Sequence, residues 1–156
     1  MRIEVVSYEH PDAQRLVDEV QQEYVIRYGE ADVTPVRADE FAAPRGLFLL
    51  GYIDGKAVAS GGWRMRDGDE PGFEDGDVEL KRMYVVPEAR GLGLSRVMLA
   101  ELEAAAARAG RIRVLLETGR RQPEAIALYR SSGYEKIAKF GAYRDDPDSE
   151  CYAKRI

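Results

Sequence analysis

The run Pro87-Glu88-Ala89-Arg90-Gly91-Leu92-Gly93-Leu94-Ser95 stands between a β-forming stretch and a helical one. Two glycines let the backbone approach a ligand closely and adopt positive φ. The start of a helix offers unpaired N–H groups and the positive end of the helix dipole. Arg90 and Arg96 add full positive charges. Together these features suit a pyrophosphate. A Walker A loop is excluded, because no Gly-Lys-Ser/Thr follows the turn. A dinucleotide fingerprint is excluded too: Arg96 stands at the third glycine position, and the turn does not follow the first strand. A purely structural strand-to-helix turn explains the glycines but not the flanking arginines.

Metal and thiol chemistry have little to draw on. The chain has one histidine, His10, and one cysteine, Cys151, so neither a two-His metal site nor a disulfide framework can be built. His10, just before Pro11, reads as a loop residue. Trp63 and Cys151 read as packing residues on strands. The 156 residues, 45% hydrophobic and 33% charged, fit one globular domain over 1–156 without a metal or disulfide staple. No apolar run approaches a membrane span, and the N-terminus lacks a signal-peptide core. Those features predict a soluble, cytoplasmic protein whose mature chain starts near Met1.

The net charge of −5 conceals its distribution. Residues 1–77 sum to −9, residues 78–144 to +6 and residues 145–156 to −2. The acidic total argues against nucleic acid as a partner. A basic segment inside an acidic protein points to a local anionic ligand. Residues 67–77 hold six acids and no base, and read as an exposed, mobile loop.

The elements that position the glycine turn follow from periodicity. Strands are predicted over 2–8, 46–53, 56–66, 78–86, 111–118, 134–140 and 150–155. Helices are predicted over the segment from Pro11 to Gly29, over 91–109 and over 123–132. Asp54-Gly55 signals a hairpin between the second and third strands. This order predicts an α/β (α+β) fold, with a mixed, mostly antiparallel sheet of about seven strands flanked by helices.

At this point the chain resembles a family. The run VELKRMYVVPEARGLGLSRVML is similar to the acyl-CoA-binding motif of the GNAT N-acetyltransferases, Arg/Gln-x-x-Gly-x-Gly/Ala, with Arg90, Gly93 and Ser95 at its defined positions. Ser95 departs from the usual Gly or Ala but is small. The run QPEAIALYRSSGYEKI resembles the second signature, through Gln122, Ala125, Tyr129, Gly133 and Tyr134. Gln122 stands where Asn is common. The two matches cover residues 78–136 in the family's order.

The resemblance implies the acyl-CoA N-acyltransferase fold, with acetyl-CoA as co-substrate and no metal. It implies that the fourth and fifth strands splay apart around the pantetheine arm. Tyr84, Val85 and Val86 would then offer backbone pairing to the pantetheine amides. The N–H groups of Arg90, Gly91, Leu92, Gly93, Leu94 and Ser95 would hold the pyrophosphate, with a further contact at Gln122. An N–H near Val85 would polarise the thioester carbonyl. An amine acceptor would attack acetyl-CoA directly in a ternary complex. Glu79, at the place of a strand glutamate in many members, is the expected proton acceptor. Its ordinary pKa of ~4.3 lies some six units below that of an amine, so it would act through water, with a raised pKa, or by orienting an ammonium that deprotonates on entry. The alternative is a strand glutamate paired with Lys81 or a neighbouring arginine. Tyr129 is the expected general acid for the leaving thiolate.

The acceptor is read from less. Alternation puts Glu79, Lys81, Met83 and Val85 on one face of the fourth strand and Leu80, Arg82, Tyr84 and Val86 on the other, unless a bulge intervenes. Arg82 on a half-buried strand suits a substrate carboxylate, or a nearby glutamate equally well. Tyr24, Tyr28, Phe140 and Tyr143 are candidate pocket walls, with ordinary loop anchoring the alternative for Phe140 and Tyr143. The acidic loop would suit a polycation instead. The favoured acceptor is a small-molecule primary amine, an amino acid or a related metabolite. The alternatives are a protein lysine or N-terminal acetyltransferase and a non-catalytic acyl-CoA sensor. No membrane or nucleic-acid partner is expected, and the resemblance is compatible with a homodimer.

Overall fold

The computed structural model describes residues 1–68 and 70–156. The chain runs β1 (Arg2–Val6), α1 (Pro11–Tyr28), β2 (Gly46–Ile53), β3 (Lys56–Met65), β4 (Asp77–Val85), α2 (Leu94–Arg108), β5 (Arg113–Gly119), α3 (Pro123–Ser131), β6 (Glu135–Ile137) and β7 (Ser149–Arg155). The strands form one seven-stranded sheet in the order β1-β2-β3-β4-β5-β7-β6. β4 and β5 pair in parallel and every other neighbour is antiparallel. This is the acyl-CoA N-acyltransferase fold. No described helix is long and apolar enough to cross a membrane.

Local chemistry sets the ends of the elements. The His10 ring nitrogen accepts the Asp12 N–H at 3.0 Å, and Pro11 starts α1. Gly29 ends it in the left-handed region at φ 83°. α2 begins three residues later than the periodicity predicts, because Gly91 and Gly93 take φ of 83° and 76°. The strand predicted over 134–140 shrinks to Glu135–Ile137. Beyond it Phe140 leaves the ladder and packs at a tilt of 58° against Phe73, ring centres 4.7 Å apart.

Leu16 and Val20 of α1, Phe48 and Leu50 of β2, and Met98 and Leu102 of α2 build the main core. A side chain at Gly61 would meet Leu102, and one at Gly62 would meet Phe48 and Phe41. Consecutive strand residues face opposite ways, so α2 and the Phe41–Phe48 cluster cover opposite faces of the sheet. A smaller cluster holds Phe73, Leu115, Phe140 and Cys151.

Residues 67, 68, 70–72, 74 and 75 of the acidic loop are exposed as expected, but the smaller cluster anchors the loop through Phe73. Phe73 is buried, with the Arg66 guanidinium 4.4 Å above its ring. Arg113 grips the Asp77 carboxylate through Nε and Nη2, both at 2.8 Å. Arg111 pairs with Asp67, and Arg66 with Glu70 at 2.8 Å. Asp69 lies outside the described residues. Asp67, Glu70 and Asp77 therefore meet arginines rather than the space between the strands.

Two irregularities open the sheet at its centre. β4 and β5 pair with each other only at Asp77–Arg113, Val78–Val114 and Glu79–Leu115; beyond that they part, β4 staying on β3 and β5 on β7. β4 also carries the bulge that would break its alternation. Gly62 faces Lys81 and Ser60 faces Tyr84, so Arg82 and Met83 together stand against Gly61. Arg82 sits at φ 60°, unusual for a side chain larger than glycine. The Ser60 hydroxyl donates to the Arg82 carbonyl at 2.9 Å in a buried setting. Gly61 leaves room here, because a Cβ would press on the Met83 sulfur and Leu102. Ser60→Ala would strand that carbonyl. The expected loss is about 1–3 kcal/mol of unfolding free energy in urea titration. No loss would show that the bulge does not need the hydroxyl.

Candidate active site

The opening between β4 and β5 is a cavity of about 210 Å³. α1 contributes Tyr24 and Tyr28 to its wall, β4 contributes Leu80 to Met83, and β5 contributes Leu116 to Gly119. Tyr129 and Gln122 enter from α3, and Tyr143 from the segment before β7. Tyr24, Tyr28, Arg82, Gln122, Tyr129 and Tyr143 thus come together as site residues.

Glu79 does not join them. It lies at the last paired position of β4, before the strands part, and is 4% exposed. Its Oε1 accepts from Arg64 Nε at 3.0 Å and Arg66 Nη1 at 3.2 Å. A carboxylate committed to two guanidiniums within the closed part of the sheet does not face a substrate. The expected proton acceptor is therefore not among the residues that line the cavity.

Among the acids that line the cavity, Glu117 stands on β5, two residues past the point where β4 and β5 part. Its Oε2 is buried with no hydrogen-bond partner. Burial is the main cause that pushes its carboxyl up to about 7. Lys81 opposes the rise, while Glu79, Asp32 and Asp146 add to it by repulsion. Sequence reasoning missed this residue. The signal was present: an acid on a strand with neighbours on both sides, in a segment where Val114 and Leu116 mark the opposite face.

Tyr129 is 6% exposed, its ring edge-on to Tyr134 with centres 5.6 Å apart. Burial first, and Tyr24 second, push its phenol far above the ordinary range, so it holds its proton at neutral pH. Burial likewise lifts Tyr24 to about 12. The Tyr134 hydroxyl donates to Glu103 at 2.8 Å and is committed elsewhere.

Tyr28 fixes the end of β5. Its hydroxyl donates to Gln122 Oε1 at 3.3 Å, and its ring lies where a side chain at Gly119 would be. The Tyr143 hydroxyl accepts the Val33 N–H at 2.7 Å, which ties the late segment to the loop after α1. Phe140 does not line the cavity. It is 2% exposed inside the smaller cluster, which corrects its expected role as a pocket wall.

The bulge turns Lys81 and Arg82 towards one carboxylate. Lys81 Nζ and Arg82 Nη1 each lie 2.7 Å from Asp32 Oδ2. Gln21 holds the Asp32 backbone from both sides, and the Thr34 N–H binds Oδ1 at 2.9 Å. Burial works against the charge on Asp32. Lys81, the Thr34 amide and Arg82 overcome it and hold the carboxyl well below the usual range.

The glycine turn is shaped for an anion. Gly93 caps α2 without a side-chain bond, and the first turn of the helix carries no acid. Its leading N–H groups therefore have neither a cap nor a local negative charge. Leu94 is buried and anchors the helix start, Ser95 is half-buried, and Leu92 is 67% exposed beside it. Gly91 has open space where a side chain would be, so its φ, rather than crowding, calls for glycine.

The flanking residues play other parts than expected. The Arg90 N–H binds the Pro87 carbonyl, and its guanidinium reaches Val85 O at 2.9 Å and Glu23 at 2.6 Å. Arg90 thus braces the turn against β4 and α1. Val86 gives its N–H to Val58 O at 2.9 Å, so it is unavailable to a ligand in the opening. Tyr84, facing Ser60, shares that orientation by strand alternation. Of the three residues expected to pair with pantetheine, Val85 is the one whose N–H turns to the open edge.

Comparison with known proteins agrees with this geometry. The model of the "Acetyltransferase (GNAT) family" matches residues 13–134. An IAA acetyltransferase of Azospirillum brasilense is 46% identical over 74 residues, 47% of this chain and 48% of that protein. The chain therefore matches about half the length of that relative. A Klebsiella pneumoniae structure assigned as an acyl-CoA N-acyltransferase is 27% identical, with a TM-score of 0.77 over 99% of this chain and 97% of that one. PaiA N-acetyltransferase of Thermoplasma acidophilum, solved with coenzyme A, shares the fold at 15% identity, with a TM-score of 0.71 over 100% of both chains. The chain belongs to the GNAT acetyltransferase family.

Proposed function

We propose that the protein transfers an acetyl group from acetyl-CoA to a small primary amine, an amino acid or related metabolite, by direct attack in a ternary complex. The observation that carries the reading is Glu117, a carboxyl without a hydrogen-bond partner on the wall of the cavity that Tyr129 also lines. The open amides at the start of α2 fit the phosphates of coenzyme A, and the unpaired edge of β4 at Val85 fits its pantetheine arm. Bound acetyl-CoA supplies the activated acyl group. The chain supplies the proton traffic and the electrostatics. A cavity of about 210 Å³ lined by residues of α1, α3 and the Tyr143 segment has room for a metabolite-sized amine.

Glu117 takes the amine proton. An amine with a pKa of ~10.4 loses its proton to an ordinary glutamate at a cost of roughly 8 kcal/mol. With the carboxyl raised to about 7, that cost falls to roughly 5 kcal/mol. Glu79 contributes from a distance, because its charge helps to keep Glu117 high. Tyr129 keeps its proton until the thiolate departs and then gives it up. The Val85 N–H faces the charge that develops on the thioester oxygen.

Two substitutions test these roles. The kcat should climb with pH through about 7 as Glu117 ionises. Glu117→Gln should remove that limb and lower kcat by ~100-fold or more. Stability supplies an independent reading. The folded pKa lies above the unfolded one, so ionisation of Glu117 opposes folding increasingly from pH ~4.5 to about 7 and fully above. Glu117→Gln should therefore melt higher than the wild type above pH 7, with the advantage fading towards pH 4.5. A retained limb or equal melting across that range would count against Glu117. Tyr129→Phe should lower kcat at least ~10-fold, with coenzyme A affinity by calorimetry unchanged. Full activity would remove Tyr129 from the mechanism.

A further inference from the structure

The cation pair on the β4 bulge holds more positive charge than its protein partner answers. Lys81 and Arg82 both spend a hydrogen bond on the same oxygen, Asp32 Oδ2. The Arg82 side chain is only 4% exposed, yet its Nε is buried without any partner. Nη1 is the guanidinium nitrogen on the Cδ side, and it is the one bonded to Asp32. The opposite edge, Nε with Nη2, is the side-on fork that matches the two oxygens of a carboxylate. An unanswered fork inside a protein costs free energy unless a ligand meets it.

Its surroundings indicate where that ligand lies. Arg82 lines the same cavity as Glu117 and Tyr129. It is held there by a backbone conformation that a large side chain rarely takes, φ 60°, with the Ser60 hydroxyl on its carbonyl. Asp32 is itself fixed by Gln21 and the Thr34 amide, and it pins Nη1 so that the fork keeps one direction. The same wall carries Glu30 and Asp146, which form no ion pair among the described residues. One cavity thus offers a cationic fork and, apart from it, acids suited to an ammonium group.

We infer that the acceptor is an amine that also carries a carboxylate, with the carboxylate received by the Nε–Nη2 edge of Arg82 beside Lys81 and the amine directed to Glu117. The inference rests on the acetyltransferase reading and narrows it from primary amines to amino acids. It disfavours polyamines and amino sugars, which bring no anion to the fork.

Matched substrate pairs test it. Each common amino acid and several ω-amino acids are assayed with acetyl-CoA by thiol release, beside the corresponding carboxamide and decarboxylated amine. At least one acid should exceed both of its counterparts ~10-fold or more in kcat/KM, as expected for loss of a charge-assisted bidentate contact. Arg82→Gln should collapse that ratio, chiefly through a higher KM for the acid. The wild-type ratio decides the question if Arg82→Gln does not fold. Amides or plain amines used as well as the acids would overturn the inference. So would the absence of both turnover and saturation-transfer signals for every acid with coenzyme A present. Failure of the acetyltransferase reading looks different: acetyl-CoA would then neither bind by calorimetry nor raise the melting temperature.

Discussion

The arrangement of the site depends on a mismatch of one residue between β3 and β4. A regular ladder would send Lys81 and Arg82 to opposite faces of the sheet. The bulge spends two residues of β4 against Gly61, turns both cations towards Asp32 and leaves Val85 facing the gap. Its upkeep is specific. Gly61 gives Met83 room, the Ser60 hydroxyl satisfies the carbonyl of the strained residue, and Asp32 restrains the guanidinium. Strain of this kind persists where the surroundings over-determine it. β5, parted from β4 beyond Leu115 but still paired with β7, presents Glu117 at the gap.

Much of the scaffold was legible in the sequence because it depends on local rules. Pro11 and Gly29 bound a helix through their own dihedral preferences, and Asp54-Gly55 dictates the hairpin. The glycine turn declared itself through φ that other residues avoid. The site was legible in part. Tyr24, Tyr28, Arg82, Gln122, Tyr129 and Tyr143 meet at the cavity. Glu117 lines the cavity and Glu79 does not because of where β4 and β5 cease to pair, about which likeness to a motif says nothing. That point is set by register, a relation between strands far apart in the chain, and short spacing does not encode it. Phe140 was misplaced for a similar reason. Its true partner, Phe73, lies in a loop whose composition looked too polar to pack.

The charge pattern has a meaning in three dimensions that the linear sum hides. The basic middle of the chain looked like a footprint for phosphates. Part of it is spent on the protein itself, since Arg111 and Arg113 close on Asp67 and Asp77, and Arg90 on Glu23. What remains for an anionic co-substrate is mainly backbone: the free amides at the start of α2, with Arg96 drawn to the Ser131 hydroxyl at 2.7 Å. Dipoles and geometry, more than net charge, make that end of the molecule receptive.

The strapped acidic segment also divides the protein's response to ionic strength. Pairs such as Arg155–Glu74, both more than half exposed, sit in solvent that screens charge within ~8 Å at physiological salt. Asp77 is 1% exposed beneath its two-pronged contact with Arg113, where counterions have little access. Added salt therefore loosens the rim of this segment before it reaches the root. The strand that carries the bulge begins at that root, sheltered from the medium in which the enzyme works.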